Sequence, residues 1–174
     1  LLALVDPDLT VTMPPAVTAA TGMDALSHAI EAYINNNATP VTDLYCEETF
    51  RRVGRSLRAA FEDGENVEAR TDMALAATLA GYAIAVTKTT ACHALAHAGG
   101  GLLDLTHGRA LAALTPAALQ LTIGARPKRF ARMAVLLRQR APADRARTER
   151  NAMEPDTTEG ASPREARAEV EQLV

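Results

Sequence analysis

Tryptophan is absent and aromatic residues make up only 3% of the chain. Sheets draw heavily on aromatic and β-branched side chains, so this poverty argues against a sheet-built core. There are two cysteines, Cys46 and Cys92, too few for a disulfide framework; both lie among apolar helical neighbours, as suits a reducing compartment. Positive charge is not in excess: 18 basic against 21 acidic residues leave a net charge of −3. No long-range positive field is therefore available to hold a nucleic acid or an anionic membrane. A run of about 18 apolar residues is missing, as is a charged leader into an apolar core with a small-residue cleavage site. A soluble, unexported, cytoplasmic protein is the expectation. Neither G-x-G-x-x-G nor G-x-x-x-x-G-K-[ST] occurs, and no fixed-period repeat is visible, so the chain carries no nucleotide-binding motif of its own.

What is abundant is small aliphatic bulk. Apolar residues are 48% of 174, with Ala and Leu prominent, a composition that favours packed helices. The first five residues read as a strand end or extended arm, as though cut from something longer. Thr12-Met13-Pro14-Pro15 signals a helix start, with Thr12 as N-cap and proline in the first turn. Gly22 is expected to interrupt that helix. Met23, Leu26, Ile30 and Tyr33 or Ile34 then recur at helical period until Asn35-Asn36-Asn37. Thr39-Pro40 restarts an amphipathic helix that runs to Glu62-Asp63-Gly64, with Arg51, Arg52, Arg55 and Arg58 on its polar face, where they read as a solvated strip rather than a phosphate site. Val67 to about Ala85 forms a long, nearly apolar helix expected to be central, and Thr87 to Thr90 break it. A short histidine-bearing helix follows, expected to close at Gly99-Gly100-Gly101, with His107 on the loop beyond. Helices over Arg109 to Leu121 and Lys128 to Arg140 complete a coherent unit, 1–141. The polar tail 142–174 is expected to be mobile, with helical character returning from Pro163 to Val174.

The chain holds four histidines, His28, His93, His97 and His107, and three of them fall within fifteen residues. Asp24 and His28 are four apart on one expected helix, so both side chains leave the same face one turn apart. His93 and His97 repeat that spacing on a second helix. One carboxylate with two or three imidazoles makes a hard-to-borderline donor set, suited to Fe(II), Zn(II) or Mn(II) and poor for Cu(I) or an iron–sulfur cluster. Spacing alone does not separate His93 from His97 as a ligand, nor name a reaction.

The stretches DPDLTVTMPPAVTAATGMDALSHAIEAY and HALAHAGGGLLDLTHG closely resemble the metal-binding signatures of the iron-containing (group III) alcohol dehydrogenase family. The resemblance runs from about Val5 to Arg140 and fades past Pro142. It implies an all-α bundle of about six to eight helices, the dehydroquinate-synthase-like C-terminal domain without the N-terminal Rossmann-like domain that binds NAD or NADP. Carried over position by position, the metal ligands are Asp24, His28, His93 and His107. His97 matches the histidine that lies near the nicotinamide and takes a proton-relay or substrate-side role. The implied activity is NAD(P)-linked oxidation of a small alcohol or reduction of an aldehyde, with hydride passing directly between carbon atoms and Fe(II), or else Zn(II), as Lewis acid. The implied partner is the nucleotide-binding domain of a full-length parent, and the chain alone should be inactive; a homodimer is left open. Two alternatives stand beside this reading: a metal-binding helical protein without catalysis, and a zinc-type relative resembling glycerol dehydrogenase. The family commonly has proline where this chain has Ala98 and Thr106, which implies a looser loop and a less constrained approach to His107. The TKTT run preceding His93 resembles a branch acting on small, sometimes phosphonate-bearing aldehydes, for which Lys88 could meet an anionic group, although a surface lysine at a helix end accounts for it more simply.

Overall fold

The computed structural model describes residues 2–138. The tail expected over 142–174 lies outside the described residues. Within them there are six α-helices and no strand: α1 (Pro15–Ile34), α2 (Pro40–Glu62), α3 (Val67–Thr87), α4 (Ala91–Leu103), α5 (His107–Thr122) and α6 (Pro127–Leu137), with short 3-10 turns at Pro7–Thr10 and Ile123–Ala125. The expected all-α bundle is what forms.

Helix boundaries follow local chemistry. α2 opens with a reciprocal capping box, Thr39 Oγ1 accepting from Thr42 N while Thr42 Oγ1 accepts from Thr39 N, and with Pro40 in its first turn. α3 is capped by Asn66, whose side chain accepts from Ala69 N. α1 starts differently from the expectation. Pro14 occupies the N-cap position and Pro15 the first helical one, and no side-chain cap is made, so Thr12 lies outside the helix. Proline at the first position loses no intrahelical bond, and the Pro14 carbonyl accepts from Val17 N and Thr18 N.

Glycines mislead in two places, and the expected loop at His107 is a third difference. α1 runs unbroken through Gly22, which is buried because the Leu57 side chain of α2 occupies the space a Cβ would need. Gly99, Gly100 and Gly101 do not close the histidine-bearing helix; α4 continues to Leu103, and the stop is Asp104 in the left-handed conformation. His107, expected on a loop, is the first residue of α5. At both glycine sites the helix hydrogen bonds outweigh the modest helix penalty of glycine, about 1 kcal/mol per residue, and at Gly22 close packing on Leu57 adds to them.

The main core joins α1, α2, α3 and α6 through Ile30, Tyr33, Phe50, Ala80, Ala83, Phe130, Met133 and Leu136. Phe50 is fully buried and meets Tyr33 edge-to-face at 5.4 Å. α3 is less central than its composition suggests: Ala76, Ala80 and Ala83 are buried, while Leu75, Tyr82 and Val86 face outward. The arginines of α2 are partly spent on internal pairs, Arg52 and Arg55 both reaching Asp72 of α3. A second cluster, Cys92, Ala96, Ala110, Leu111 and Ala118, binds α4 to α5. α1 is the shared element, packing on α2 and α3 on one side and on α5 on another. No helix of the described residues is long and apolar enough to cross a membrane.

Candidate metal centre

Three helices converge on one point. α1 presents Asp24 and His28 a turn apart, α4 presents His93 in its first turn, and α5 presents His107 at its first position. Asp24 Oδ1 is 3.5 Å from each of three imidazole nitrogens: His28 Nδ1, His93 Nε2 and His107 Nε2. The ligand atoms of Asp24, His28 and His93 all lie within 4.8 Å of one another; His107 reaches the carboxylate from the outer side. The rings of His28 and His93 stack at 4.4 Å. His97 lies one helical turn beyond His93, exposed, its ring 5.1 Å from that of His107 and 6.3 Å from that of His93. Thr106, where the family has proline, holds φ at −62°, the value a proline would impose, and Ala98 lies within α4 rather than on a loop.

These residues fit a divalent ion. Asp24 Oδ1 and His93 Nε2 are buried with no hydrogen-bond partner, a costly condition for two polar atoms unless something polar sits between them. A tetrahedral ion with bonds of about 2.0–2.2 Å needs ligand atoms roughly 3.3–3.6 Å apart, which is the separation of the carboxylate oxygen from all three nitrogens. One oxygen and three imidazole nitrogens are donors for Fe(II), Zn(II) or Mn(II).

The electrostatics agree. Burial pushes the Asp24 carboxyl up, but His93, His28 and His107 around it outweigh this and hold it below its ordinary value. Burial lowers His28, and Asp24 does not fully restore it. Burial would also lower His93, but the carboxylates of Asp24 on one side and of Glu31, hydrogen-bonded to the ring, on the other prevail and push it up to about 9.

Glu31 is a site residue that sequence reasoning missed. It is 3% exposed and sits under His93, with Oε2 2.7 Å from His93 Nδ1. The signal was available: Asp24, His28 and Glu31 follow at spacings of four and three, on one face of α1. Beside the cluster an open hollow of about 370 Å³ is lined by Ala16, Val17, Ala20 and Thr21 of α1 and by Thr106 and Arg109. Lys88 lies exposed at the end of α3, its ammonium 3.4 Å from the Ala85 carbonyl of its own helix.

Comparison with known proteins gives the same direction. Residues 18–157 match the model of the Fe-containing alcohol dehydrogenase family, C-terminal part. The chain is 46% identical over 132 residues to a 1,3-propanediol dehydrogenase of Klebsiella pneumoniae, covering 76% of this chain and 34% of that protein. It is 41% identical over 136 residues to an NAD-dependent methanol dehydrogenase of Bacillus methanolicus, covering 78% and 36%. A crystal structure of a 1,3-propanediol oxidoreductase superposes with a TM-score of 0.78 at 40% identity, over 97% of this chain and 41% of that one. The chain spans about a third of the length of the curated relatives it matches.

Proposed function

The chain belongs to the Fe-containing alcohol dehydrogenase family, matching its C-terminal part, and from that premise we propose that it is the metal-holding half of an oxidoreductase that interconverts a small alcohol and its aldehyde with NAD or NADP. The observation that carries this reading is one carboxylate oxygen equidistant, at 3.5 Å, from three imidazole nitrogens, with two of the four atoms buried and unpartnered.

Asp24, His28, His93 and His107 would hold the ion, Fe(II) or Zn(II). Such an ion supplies Lewis acidity at an alcohol or carbonyl oxygen and lowers the pKa of the alcohol. The chain's own side chains do the rest. Asp24 and His28, fixed on one helix face, set the floor of the site, and His93 is locked between Asp24 and Glu31. His97, exposed and beside His107 at the rim, would be the group that holds or passes a proton. Ala16, Val17 and Ala20 make one wall of the hollow next to Asp24 and His107 apolar, which suits a short aliphatic substrate. The dinucleotide would be bound mainly by a separate nucleotide-binding domain, since the sequence contains no dinucleotide motif. By itself the chain would bind metal and not turn over.

The test is metal content per chain after anaerobic purification and loading with Fe(II) or Zn(II), in the unmutated protein and in His28→Ala and His93→Ala. A ratio near one that collapses in both variants is expected. A ratio near zero in the unmutated, helical chain would overturn the reading. Adding a nucleotide domain from a relative then asks whether aldehyde reduction appears, which a metal-binding protein without catalysis would never show.

A further inference from the structure

We propose that Glu31 is a positioning residue of the metal centre: its carboxylate holds His93 in the tautomer that carries the proton on Nδ1, so that Nε2 is the atom turned toward Asp24. The proposal rests on the metal reading above and deepens it.

Glu31 lies one turn after His28 on α1 and is enclosed where α1 meets the start of α4. Five donors converge on its two oxygens. Oε1 accepts from Thr90 Oγ1 at 2.7 Å, from Cys92 N at 2.6 Å and from His93 N at 3.3 Å. Oε2 accepts from Thr90 N at 2.9 Å and faces His93 Nδ1 at 2.7 Å. Thr90 makes no side-chain cap of its own, so the orphan amides at the start of α4 are satisfied by a carboxylate from another helix. One side chain thus fixes both the backbone from which His93 projects and the ring itself.

The tautomer follows from the inventory of groups. A carboxylate with its oxygens facing N–H donors can only accept, so the ring atom opposite it must donate. A neutral imidazole with its proton on Nδ1 has its lone pair on Nε2, and that nitrogen is buried, unpartnered and 3.5 Å from Asp24 Oδ1. Nothing else in the described surroundings holds this ring by a hydrogen bond; His28 stacks on it and His107 is tilted to it. A hydrogen-bonded partner on the far nitrogen fixes a metal-bound histidine's orientation and raises its basicity, and removing such partners costs metal affinity about 10–100-fold.

Glutamine is the informative substitution because it fits the volume but not the donor pattern. Both carboxylate oxygens receive N–H groups, so Glu31→Gln must turn its NH2 toward either Cys92 N or the pair formed by Thr90 N and His93 Nδ1. In the second arrangement His93 can accept at Nδ1 only by carrying its proton on Nε2, inside the ligand set.

The experiment measures Zn(II) affinity by chelator competition in the full chain, in Glu31→Gln and in Glu31→Ala, together with long-range 1H–15N spectra of the His93 ring in the Zn(II)-loaded unmutated protein. The expected results are a 10–100-fold weaker affinity in Glu31→Gln and an Nδ1–H, Nε2-coordinated ring in the unmutated chain. A purely structural cap would lower the unfolding midpoint of Glu31→Gln and leave its Zn(II) affinity unchanged. Coordination through Nδ1 in the unmutated protein would overturn the proposal even if Glu31→Gln failed to fold. Affinity within twofold of the unmutated chain in both Glu31→Gln and Glu31→Ala would overturn it while leaving the metal reading intact. An unmutated chain that binds no Zn(II) would overturn the metal reading itself.

Discussion

Gly108 sits beside His107 at the point where α5 crosses α1, and Gly108→Ala should damage the metal site more than the fold. A Cβ there would stand 2.7 Å from the carbonyl carbon of Ala20 and 3.0 Å from its Cβ, and these are backbone neighbours that cannot rotate aside. Carbon atoms rest comfortably at about 3.5–4.0 Å, so the start of α5 must retreat by roughly 0.8 Å. Metal-ligand distances tolerate about 0.2 Å, so the retreat carries His107 beyond what its ring can recover by rotation alone. For stability two terms oppose each other: alanine gains about 1 kcal/mol over glycine in a helix, and overpacking costs about 1–3 kcal/mol. The metal-free chain should therefore lose between about 0 and 2 kcal/mol in urea unfolding, while Zn(II) affinity in chelator competition falls about 10–100-fold, or roughly 1.4–2.7 kcal/mol. Gly81→Ala is the control, since a Cβ there meets nothing within 4 Å; it should gain about 1 kcal/mol and leave metal affinity alone. If Gly108→Ala bound Zn(II) as tightly as the unmutated chain while unfolding at lower urea, the claim that this contact places His107 would be wrong.

Lys88 has φ 69° and ψ 167°, a region that glycine occupies freely and other residues enter at about 1–3 kcal/mol. Lys88→Gly should therefore stabilise the chain by about 1 kcal/mol after glycine's extra unfolded-state entropy is counted, read as a higher urea midpoint. Because the carboxylates beside His93 push it up to about 9, the metal-free site is protonated at pH 7.5 and an ion must displace that proton. Calorimetric titration in two buffers of different ionisation enthalpy should show close to one proton released per Zn(II) at pH 7.5, with affinity rising as pH is raised toward 9; no release would mean that the metal-free His93 is already neutral at pH 7.5. The sign reverses for the metal-free fold, since a group raised from 6.5 to about 9 contributes stability that is full below about 6.5 and is lost as pH rises through 9.

The helices were readable because their apolar residues recur at 3.6 and their ends carry strong chemistry: Thr39-Pro40, Asn35-Asn36-Asn37 and the Glu62-Asp63-Gly64 turn all stand where the sequence puts them. Gly22 misled because its place inside a helix is explained by Leu57 packing against it, which a local window does not show, and Gly99-Gly100-Gly101 misled because the helix stop is set by Asp104 in the left-handed conformation rather than by a glycine. Among the histidines, spacing gave the pairs but not the roles. His93 is turned inward by Glu31 and buried, whereas His97, on the same helix, is exposed. That difference depends on a carboxylate 62 residues away in sequence, which no spacing rule encodes.

Residues adjoining two of the ligands also meet in the core, which separates two ways of holding the site together. Thr115 Oγ1 lies 3.0 Å from Ser27 Oγ, the neighbour of His28, and 3.2 Å from Cys92 Sγ, the neighbour of His93, and it donates to the Leu111 carbonyl at 2.7 Å. α1, α4 and α5 are thus tied through one buried hydroxyl. Thr115→Val keeps the shape and removes the hydroxyl, leaving Ser27 and Cys92 without that partner at a cost of about 1–3 kcal/mol. If close packing fixes the helix positions, as Gly108 against Ala20 suggests, the variant should unfold at lower urea yet bind Zn(II) within about threefold of the unmutated chain, well under the loss expected for Gly108→Ala. Equal losses of metal in the two variants would show that hydrogen bonds, rather than steric contact, set the ligand geometry. The two substitutions differ in what they move: one displaces a helix end by a fraction of an ångström, and the other removes only a polar group.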